Sequence, residues 1–244
     1  MSNLKEKLIF KVRAALIHLF LSLLVFTGIA YLIVFEWYPQ ALFTAEGGLH
    51  GIKLMAAIDL VLGPSLTFII ISKTKSRLEI VFDLTVIVII QISALIWGGL
   101  QVYSQRPVAL VMWDDVFYTV TEDYYSKQKI SLDEVTKYSD ETPRLIYADS
   151  KNSLEQLNEI RRLNELKVPP YAQVHLYGSL KDNFSNMLPI QITQDNLDVY
   201  AKEYSIEEGQ HVFLGKAKHK DLLIYLDANA RLIAIKVIEK VRKD

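Results

Sequence analysis

The chain has 244 residues, no Cys and a formal net charge of -1. From residue 106 onward it carries 19 Lys and Arg against 22 Asp and Glu, and this lack of a basic excess excludes a nucleic acid as its partner. The absence of Cys excludes a disulfide framework, a thiol nucleophile and zinc bound by thiolates.

Three apolar runs occupy the first part of the chain, over residues 14–35, 51–72 and 80–103. A bilayer core takes about 20 helical residues to cross, so each run is long enough to form a transmembrane helix. The first run follows basic residues, as in a signal peptide, but it is longer than the apolar part of a signal peptide. We therefore expect a retained anchor rather than a cleaved leader.

The charges that flank these runs predict their orientation. Four basic residues precede the first run, and Lys73, Lys75 and Arg77 separate the second from the third, whereas the loop 36–50 has no Lys or Arg. By the positive-inside rule, the N-terminus and the loop that contains Lys73 are cytoplasmic. Three crossings then leave everything after Arg106 on the far side. The predicted domains are a membrane domain, 1–105, and an extracytoplasmic domain, 106–244.

The second domain begins and ends with sequence segments that are typical of β-strands. Residues 108–113 and 116–121 are rich in β-branched and aromatic side chains and flank Asp114-Asp115, which predicts a hairpin. Residues 221–238 predict another hairpin.

Between the two hairpins, residues 153–166 predict a helix whose apolar stripe includes either Arg161 or Leu163. In the turn of the closing hairpin, Asn229 is a residue that can take the left-handed conformation. The fold class is therefore a membrane protein, with three transmembrane α-helices followed by a small α+β extracytoplasmic domain with hairpins at both ends.

The membrane runs contain polar side chains whose depth follows from the rise of a helix. At ~1.5 Å per residue, Asp59 lies ~21 Å from the cytoplasmic edge, and Thr27, Gln91 and Ser93 lie at a similar depth. A cluster of these four residues is therefore geometrically allowed. A carboxylate in lipid is costly, and three roles remain open for this one: contact between helices, a proton or ion relay, and recognition of another membrane helix.

Two further intramembrane features stand out. His18 and Asp83 lie ~7 and ~6 Å from the cytoplasmic edge, and we expect them to pair across the first and third helices. Gly63-Pro64 follows Asp59 by one turn and permits a kink, which serves either helix packing or a groove for a partner helix.

The part after residue 105 contains no recognisable catalytic or cofactor motif. Its histidines are His175, His211 and His219, and none has the spacing of a zinc-binding helix. Asp114-Asp115 is better explained as turn residues than as a catalytic pair. We predict no catalytic residue, cofactor or metal.

Several short signatures occur in a fixed order along the chain. They are Trp37-Tyr38-Pro39, Asp59-Leu-Val-Leu-Gly63-Pro64-Ser-Leu-Thr67, Phe82-Asp83-Leu84, Arg106-Pro107-Val108 and Leu214-Gly-Lys, the last followed by a hairpin. Together they resemble the TfpX/TfpZ (FimB-like) family of type IV pilin accessory proteins. The resemblance covers the membrane half and the C-terminal hairpin, and it does not cover residues 122–205.

This resemblance implies a bacterial inner-membrane protein with a cytoplasmic N-terminus, a periplasmic C-terminal domain, no enzymatic activity and no cofactor. The implied partners are the lipid bilayer, a major or minor type IV pilin and other pilus assembly proteins. The implied function is to bind pilin, as a chaperone does, and to modulate its stability or its assembly into pili.

Two other functions stay open from the residues themselves. One is a transporter or proton-linked membrane protein that uses Asp59, and the other is a sensor whose soluble domain binds a small ligand. For the accessory function, we predict that the membrane helices bind the N-terminal hydrophobic helix of a pilin, with its amine near Asp59.

Overall fold

The computed structural model of the chain describes residues 2–39, 41–149, 157–200 and 203–238. The chain divides into two compact units. The first, here called the membrane unit, contains Met1–Glu36 and Gly48–Tyr103. The second, here called the C-terminal domain, contains Trp37–Gly47 and Ser104–Asp244. The division differs from the predicted boundary in one respect, since the loop Trp37–Gly47 belongs to the C-terminal domain.

The helices and strands follow in chain order. The helices are α1 (Ser2–Tyr31), α2 (Leu42–Ala45), α3 (Gly48–Ala56), α4 (Gly63–Ile70), α5 (Arg77–Ser104), α6 (Glu122–Gln128), α7 (Leu132–Val135), α8 (Leu157–Glu165), α9 (Leu180–Met187) and α10 (Gln194–Tyr200). The strands are β1 (Pro107–Trp113), β2 (Val116–Thr121), β3 (Arg144–Ala148), β4 (Tyr177–Ser179), β5 (His211–Lys216), β6 (Asp221–Leu226) and β7 (Leu232–Ile238).

Within the described residues, three helices are long and apolar enough to cross a membrane, as the sequence predicts. Helix α1 continues as a π-helical segment, Leu32–Trp37. The second membrane helix consists of α3, a π-helical segment, Ala57–Leu62, and α4. The third is α5. The first helix packs mainly against α4 and the π-helical segment of the second.

An ion pair and a hydrogen bond connect the first turns of α1 with the end of α4 and the short loop after it. Lys73 Nζ lies 3.4 Å from Glu6 Oε2. Lys11 Nζ donates to the carbonyl oxygen of Ile69, at 3.1 Å. Lys11 and Lys73 thus both join the first turns of α1 to the end of the second membrane helix.

The described strands of the C-terminal domain form one mixed sheet, in the order β4-β3-β1-β2-β5-β6-β7. β1 and β2 pair antiparallel, as do β6 and β7, so hairpins at both ends of the domain are confirmed. β1 also pairs in parallel with β3, and β2 pairs in parallel with β5. The predicted α+β class is confirmed.

The two hairpins turn by different means. Asp114 and Asp115 both have positive φ, 49° and 66°, as a tight two-residue hairpin turn requires. In the closing hairpin Ala230, and not Asn229, takes the left-handed conformation, with φ 59°. Asp227 Oδ1 accepts hydrogen bonds from the backbone N–H groups of Asn229 and Arg231, which hold the turn.

The predicted helix 153–166 corresponds to α8 over its described part, and its start lies outside the described residues. Leu163 is fully buried, whereas Arg161 is exposed, so Leu163 belongs to the apolar stripe.

The sheet is buried on both faces. Alternate residues of β1 point in opposite directions, as in any strand. Leu110 packs with Phe213 and Leu222 on one face, and Val111 packs with Tyr125 and Leu163 on the other.

The loop between the first and second membrane helices is part of this core. Leu42 and Ala45 of α2 are fully buried among the side chains of the first face. Glu46 Oε1 accepts hydrogen bonds from Thr119 Oγ1 and from the backbone N–H of Lys218. Burial, followed by the negative charge of Glu46, raises the pKa of the Tyr38 phenol above its usual range. Tyr38 is therefore buried within the C-terminal domain.

Candidate functional site within the membrane helices

The second membrane helix carries Asp59 in its π-helical segment. Pro64 has no N–H to donate to the preceding turn. In that turn the Gly63 N–H donates to the carbonyl of Ile58, five residues back, which is the wider spacing of a π-helix. This local change of spacing positions the Asp59 side chain towards the neighbouring helices, where it is 6% exposed.

Because Gly63 has no side chain, the side chain of Gln91 on α5 has room to reach Asp59. A Cβ atom at Gly63 would lie 1.9 Å from Gln91 Nε2, so any larger residue would displace the amide. With glycine in place, Gln91 Nε2 donates to Asp59 Oδ1 at 3.3 Å and lies 3.4 Å from the Asp59 carbonyl oxygen. Ser22 Oγ on α1 donates to the same Oδ1 at 3.2 Å.

A chain of hydrogen bonds extends from Gln91 to α1 and α4. Gln91 Oε1 lies 2.8 Å from His18 Nε2, and His18 Nδ1 lies 2.6 Å from Thr67 Oγ1. Because a Gln oxygen only accepts, His18 donates to Gln91 through Nε2. Gln91 in turn donates to Asp59, so a chain of contacts connects Thr67 through His18 and Gln91 to Asp59. We call His18, Ser22, Asp59, Thr67 and Gln91 the polar cluster.

The polar cluster leaves one acceptor unused. Asp59 Oδ1 receives two donors, whereas Asp59 Oδ2 is buried and has no hydrogen-bond partner among the described residues. Beside it lies a cavity of about 450 Å³, lined by the polar cluster and by apolar side chains of α1 and α5. Leaving a buried acceptor unpaired costs free energy, so this oxygen is the one poorly satisfied side-chain atom of the polar cluster.

The structure brings together some of the predicted residues and separates others. Asp59 and Gln91 are adjacent, as predicted. Thr27 is exposed, and its hydroxyl donates to the carbonyl of Leu23 on its own helix. Ser93 is exposed on the opposite side of α5 from Gln91, because residues two apart on a helix do not share a face. Thr27 and Ser93 therefore lie outside the cluster that their depth allows, since equal depth does not imply the same face.

The predicted pair of His18 and Asp83 was wrong. Asp83 Oδ2 lies 2.6 Å from Lys75 Nζ, so a closer cation in the adjacent loop satisfies it. His18 lies instead beside Gln91, because α1 and α5 are offset along their axes. Depths counted from each helix's own edge carry no information on that offset.

Two members of the polar cluster, Ser22 and Thr67, were missed from the sequence. Ser22 follows His18 by four residues, and Thr67 follows Asp59 by eight, so each lies on the same helical face as a predicted residue. That periodicity was the signal that could have identified them.

The C-terminal domain has a cavity of about 390 Å³, whose lining includes Asp114, Asp115 and Asp149. Among its described residues there is no group of three or more His, Asp or Glu side chains that could hold a metal ion. Asp114 and Asp115, the carboxylate pair noted in the sequence, form the turn of the first hairpin.

Residues 6–41 match the profile of a family described as "Fimbrial assembly protein FimB". A "Fimbrial assembly protein, serogroups C1 and C2" of Dichelobacter nodosus is 37% identical over 131 residues, which are 54% of this chain and 96% of that protein. The "Fimbrial assembly protein, serogroup E1" of the same organism is 36% identical over 131 residues, or 49% of its own length.

The "Fimbrial assembly protein, serogroup I" is similar at 37% identity, again over 49% of its length. The chain thus spans about half the length of two of these relatives. No solved structure matches the chain. The family profile covers most of α1 and therefore includes His18 and Ser22 of the polar cluster.

Proposed function

Since the chain belongs to the FimB family of fimbrial assembly proteins, we propose that it is a bacterial inner-membrane accessory protein that binds the fimbrial subunit, a type IV pilin, and modulates its stability or its assembly into pili. It acts by binding and not by catalysing a reaction. The single observation that carries this proposal is the similarity to a fimbrial assembly protein over nearly the whole of that relative's length.

The proposed topology is a cytoplasmic N-terminus and a periplasmic C-terminal domain. The charges of the loops support it through the positive-inside rule. The packing of α2 in the core of the C-terminal domain adds a second support, because the loop before the second membrane helix and the chain after α5 must then lie on one side of the membrane. The second membrane helix and α5 supply the two membrane crossings between this loop and the chain after α5.

The distribution of exposed apolar side chains supports contact through the membrane helices. Outside the three membrane helices, the described large apolar side chains that are exposed are Leu166 and Ile233. Two isolated apolar residues are ordinary for a soluble surface and do not form the broad patch by which a chaperone holds an apolar segment. The apolar contact with a membrane-anchored subunit is therefore assigned to the helices.

The proposal predicts that the subunit purifies together with this chain. A tagged chain, extracted from membranes in mild detergent, is expected to retain pilin, which mass spectrometry identifies. The matched control is an unrelated tagged protein with three membrane helices, expressed at the same level. Recovery of other fimbrial assembly proteins without pilin, in a strain that makes pilin, contradicts direct binding of the subunit.

A further inference from the structure

A turn rich in lysine, residues 216–220 and here called the basic turn, connects β5 to β6. It contains Lys216, Lys218 and Lys220 and no Asp or Glu. Lys216 and Lys218 are exposed, and Lys220 is half-buried. From residue 106 onward the chain has 22 Asp and Glu against 19 Lys and Arg, so the basic turn concentrates positive charge in a domain of acidic balance.

Hydrogen bonds hold the basic turn beside the residues that lead into the second membrane helix. The backbone N–H of Lys218 donates to Glu46 Oε1 at 3.2 Å, and that of His219 donates to the carbonyl oxygen of Ala45 at 2.9 Å. The Glu46 carboxylate is buried and also accepts from the Thr119 hydroxyl. A turn that lies 172 residues further along the chain is therefore fixed to the segment that enters the membrane.

The length of the second membrane helix gives the distance of this segment from the bilayer. The helix, Gly48–Ile70, has 23 residues, which extend about 35 Å and exceed a bilayer core of about 30 Å. Gly48 therefore lies among the lipid headgroups. Glu46 precedes Gly48 by two residues, so their Cα atoms are at most about 8 Å apart. The basic turn, which is hydrogen-bonded to Glu46, thus lies at the membrane surface.

Two lysines of the basic turn lack an ion pair. Lys216 lies opposite Asp221 in the ladder of β5 and β6. Within the described part of the chain, neither Lys218 nor Lys220 forms an ion pair, and this holds for the nearby carboxylate of Glu46 as well. An ammonium group donates strong hydrogen bonds to a phosphate oxygen, and lipid phosphates lie at the level of this turn.

We propose that the basic turn binds the phosphate groups of anionic lipid headgroups through Lys218 and Lys220. The attraction between lysines and an anionic membrane surface falls off within a Debye length. The hydrogen bonds to Ala45 and Glu46 hold the turn within that range. The contact fixes the C-terminal domain to the membrane next to the point where the chain enters the second membrane helix, and it depends neither on the proposed function nor on the side of the membrane on which the domain lies.

Quenching by lipid tests the place of contact. The full chain, which has no Cys, is reconstituted in vesicles of phosphatidylcholine and phosphatidylglycerol, with a fluorophore at His219→Cys or, as the matched control, at Ala228→Cys. Both positions are exposed, and Ala228 lies beyond the other end of β6, which is about 17 Å long. A quencher on the lipid headgroup is expected to act several times more strongly on the fluorophore at position 219. Equal quenching at the two positions overturns the proposal.

Removal of the lysines tests the chemistry. Quenching of the fluorophore on the basic turn by spin-labelled phosphatidylglycerol, relative to spin-labelled phosphatidylcholine, measures the local enrichment of anionic lipid. Lys218→Gln with Lys220→Gln keeps the backbone hydrogen bonds, and at low salt we expect it to lower the enrichment by about fivefold for each lysine. The matched control, Lys137→Gln with Lys181→Gln, removes two exposed lysines that lie around Ala230, beyond the other end of β6, and is expected to leave the enrichment unchanged.

The variants are compared at equal resistance to proteolysis, so that a folding defect is not mistaken for a lost contact. Equal quenching by the two spin-labelled lipids in the unsubstituted turn overturns the phosphate contact. Enrichment that survives Lys218→Gln with Lys220→Gln, or that both double substitutions lower equally, overturns the role of the basic turn. Enrichment that only the substitutions in the basic turn abolish, and that falls as salt is added, supports the inference.

Discussion

Replacing Leu42 by Ala is expected to lower the free energy of unfolding of the C-terminal domain by about 2–5 kcal/mol. Leu42 lies in the loop between the first two membrane helices, yet its side chain is fully buried in the core of that domain. The substitution leaves a cavity among side chains such as Phe213, and the surrounding structure closes such a cavity only in part. Pulse proteolysis of the solubilised full chain in urea measures the change.

The control for this experiment is on the same short helix. Thr44 is exposed, and Thr44→Ala is expected to change the free energy of unfolding by no more than about 0.5 kcal/mol. Equal effects of Leu42→Ala and Thr44→Ala, measured on the C-terminal domain, contradict the assignment of the loop Trp37–Gly47 to that domain.

The second large effect is expected at Gly63, where we predict that Gly63→Leu destabilises the membrane unit by about 1–3 kcal/mol. The new side chain occupies the space of the Gln91 amide and separates it from Asp59. The midpoint of unfolding in sodium dodecyl sulfate, followed by energy transfer between dyes on introduced cysteines on α1 and α5, measures the loss.

Two other glycines provide matched controls for Gly63→Leu. A Cβ atom at Gly28 or at Gly99 meets no atom within 4 Å, so the same substitution there is expected to be tolerated. Adding Gln91→Ala to Gly63→Leu is expected to relieve the clash, and the two substitutions should therefore not be additive. Equal destabilisation at all three glycines contradicts a specific approach of Gln91 to Gly63.

The sequence predicts those parts of the fold that depend on local pattern. Apolar runs of the length of a bilayer identify the membrane helices, and Asp114-Asp115 between two β-rich segments identifies a hairpin. The loop Trp37–Gly47 could not be assigned in this way, because Tyr38 suits a membrane interface as well as a protein core. Only the long-range packing of Leu42 decides between the two.

The sequence identifies polar residues of the site, but it does not show which of them contact each other. Asp59 and Gln91 are polar residues in apolar helices, and the cost of burying them already indicates that they contact each other or a partner. Which residues meet depends on the rotation and axial offset of each helix. These quantities separated Ser93 from Gln91, and they placed His18 beside Thr67 instead of Asp83.

Labelling of two single cysteines tests most directly the membrane topology on which the proposed function depends. The chain has no Cys, and Thr44 and Thr74 are exposed residues in the loops after the first and second membrane helices. With a maleimide that does not cross the inner membrane, we expect Thr44→Cys to be labelled in intact cells and Thr74→Cys to be labelled only after the inner membrane is opened. Labelling of Thr74→Cys alone in intact cells would contradict the topology, and with it a periplasmic C-terminal domain and the proposed contact with the subunit.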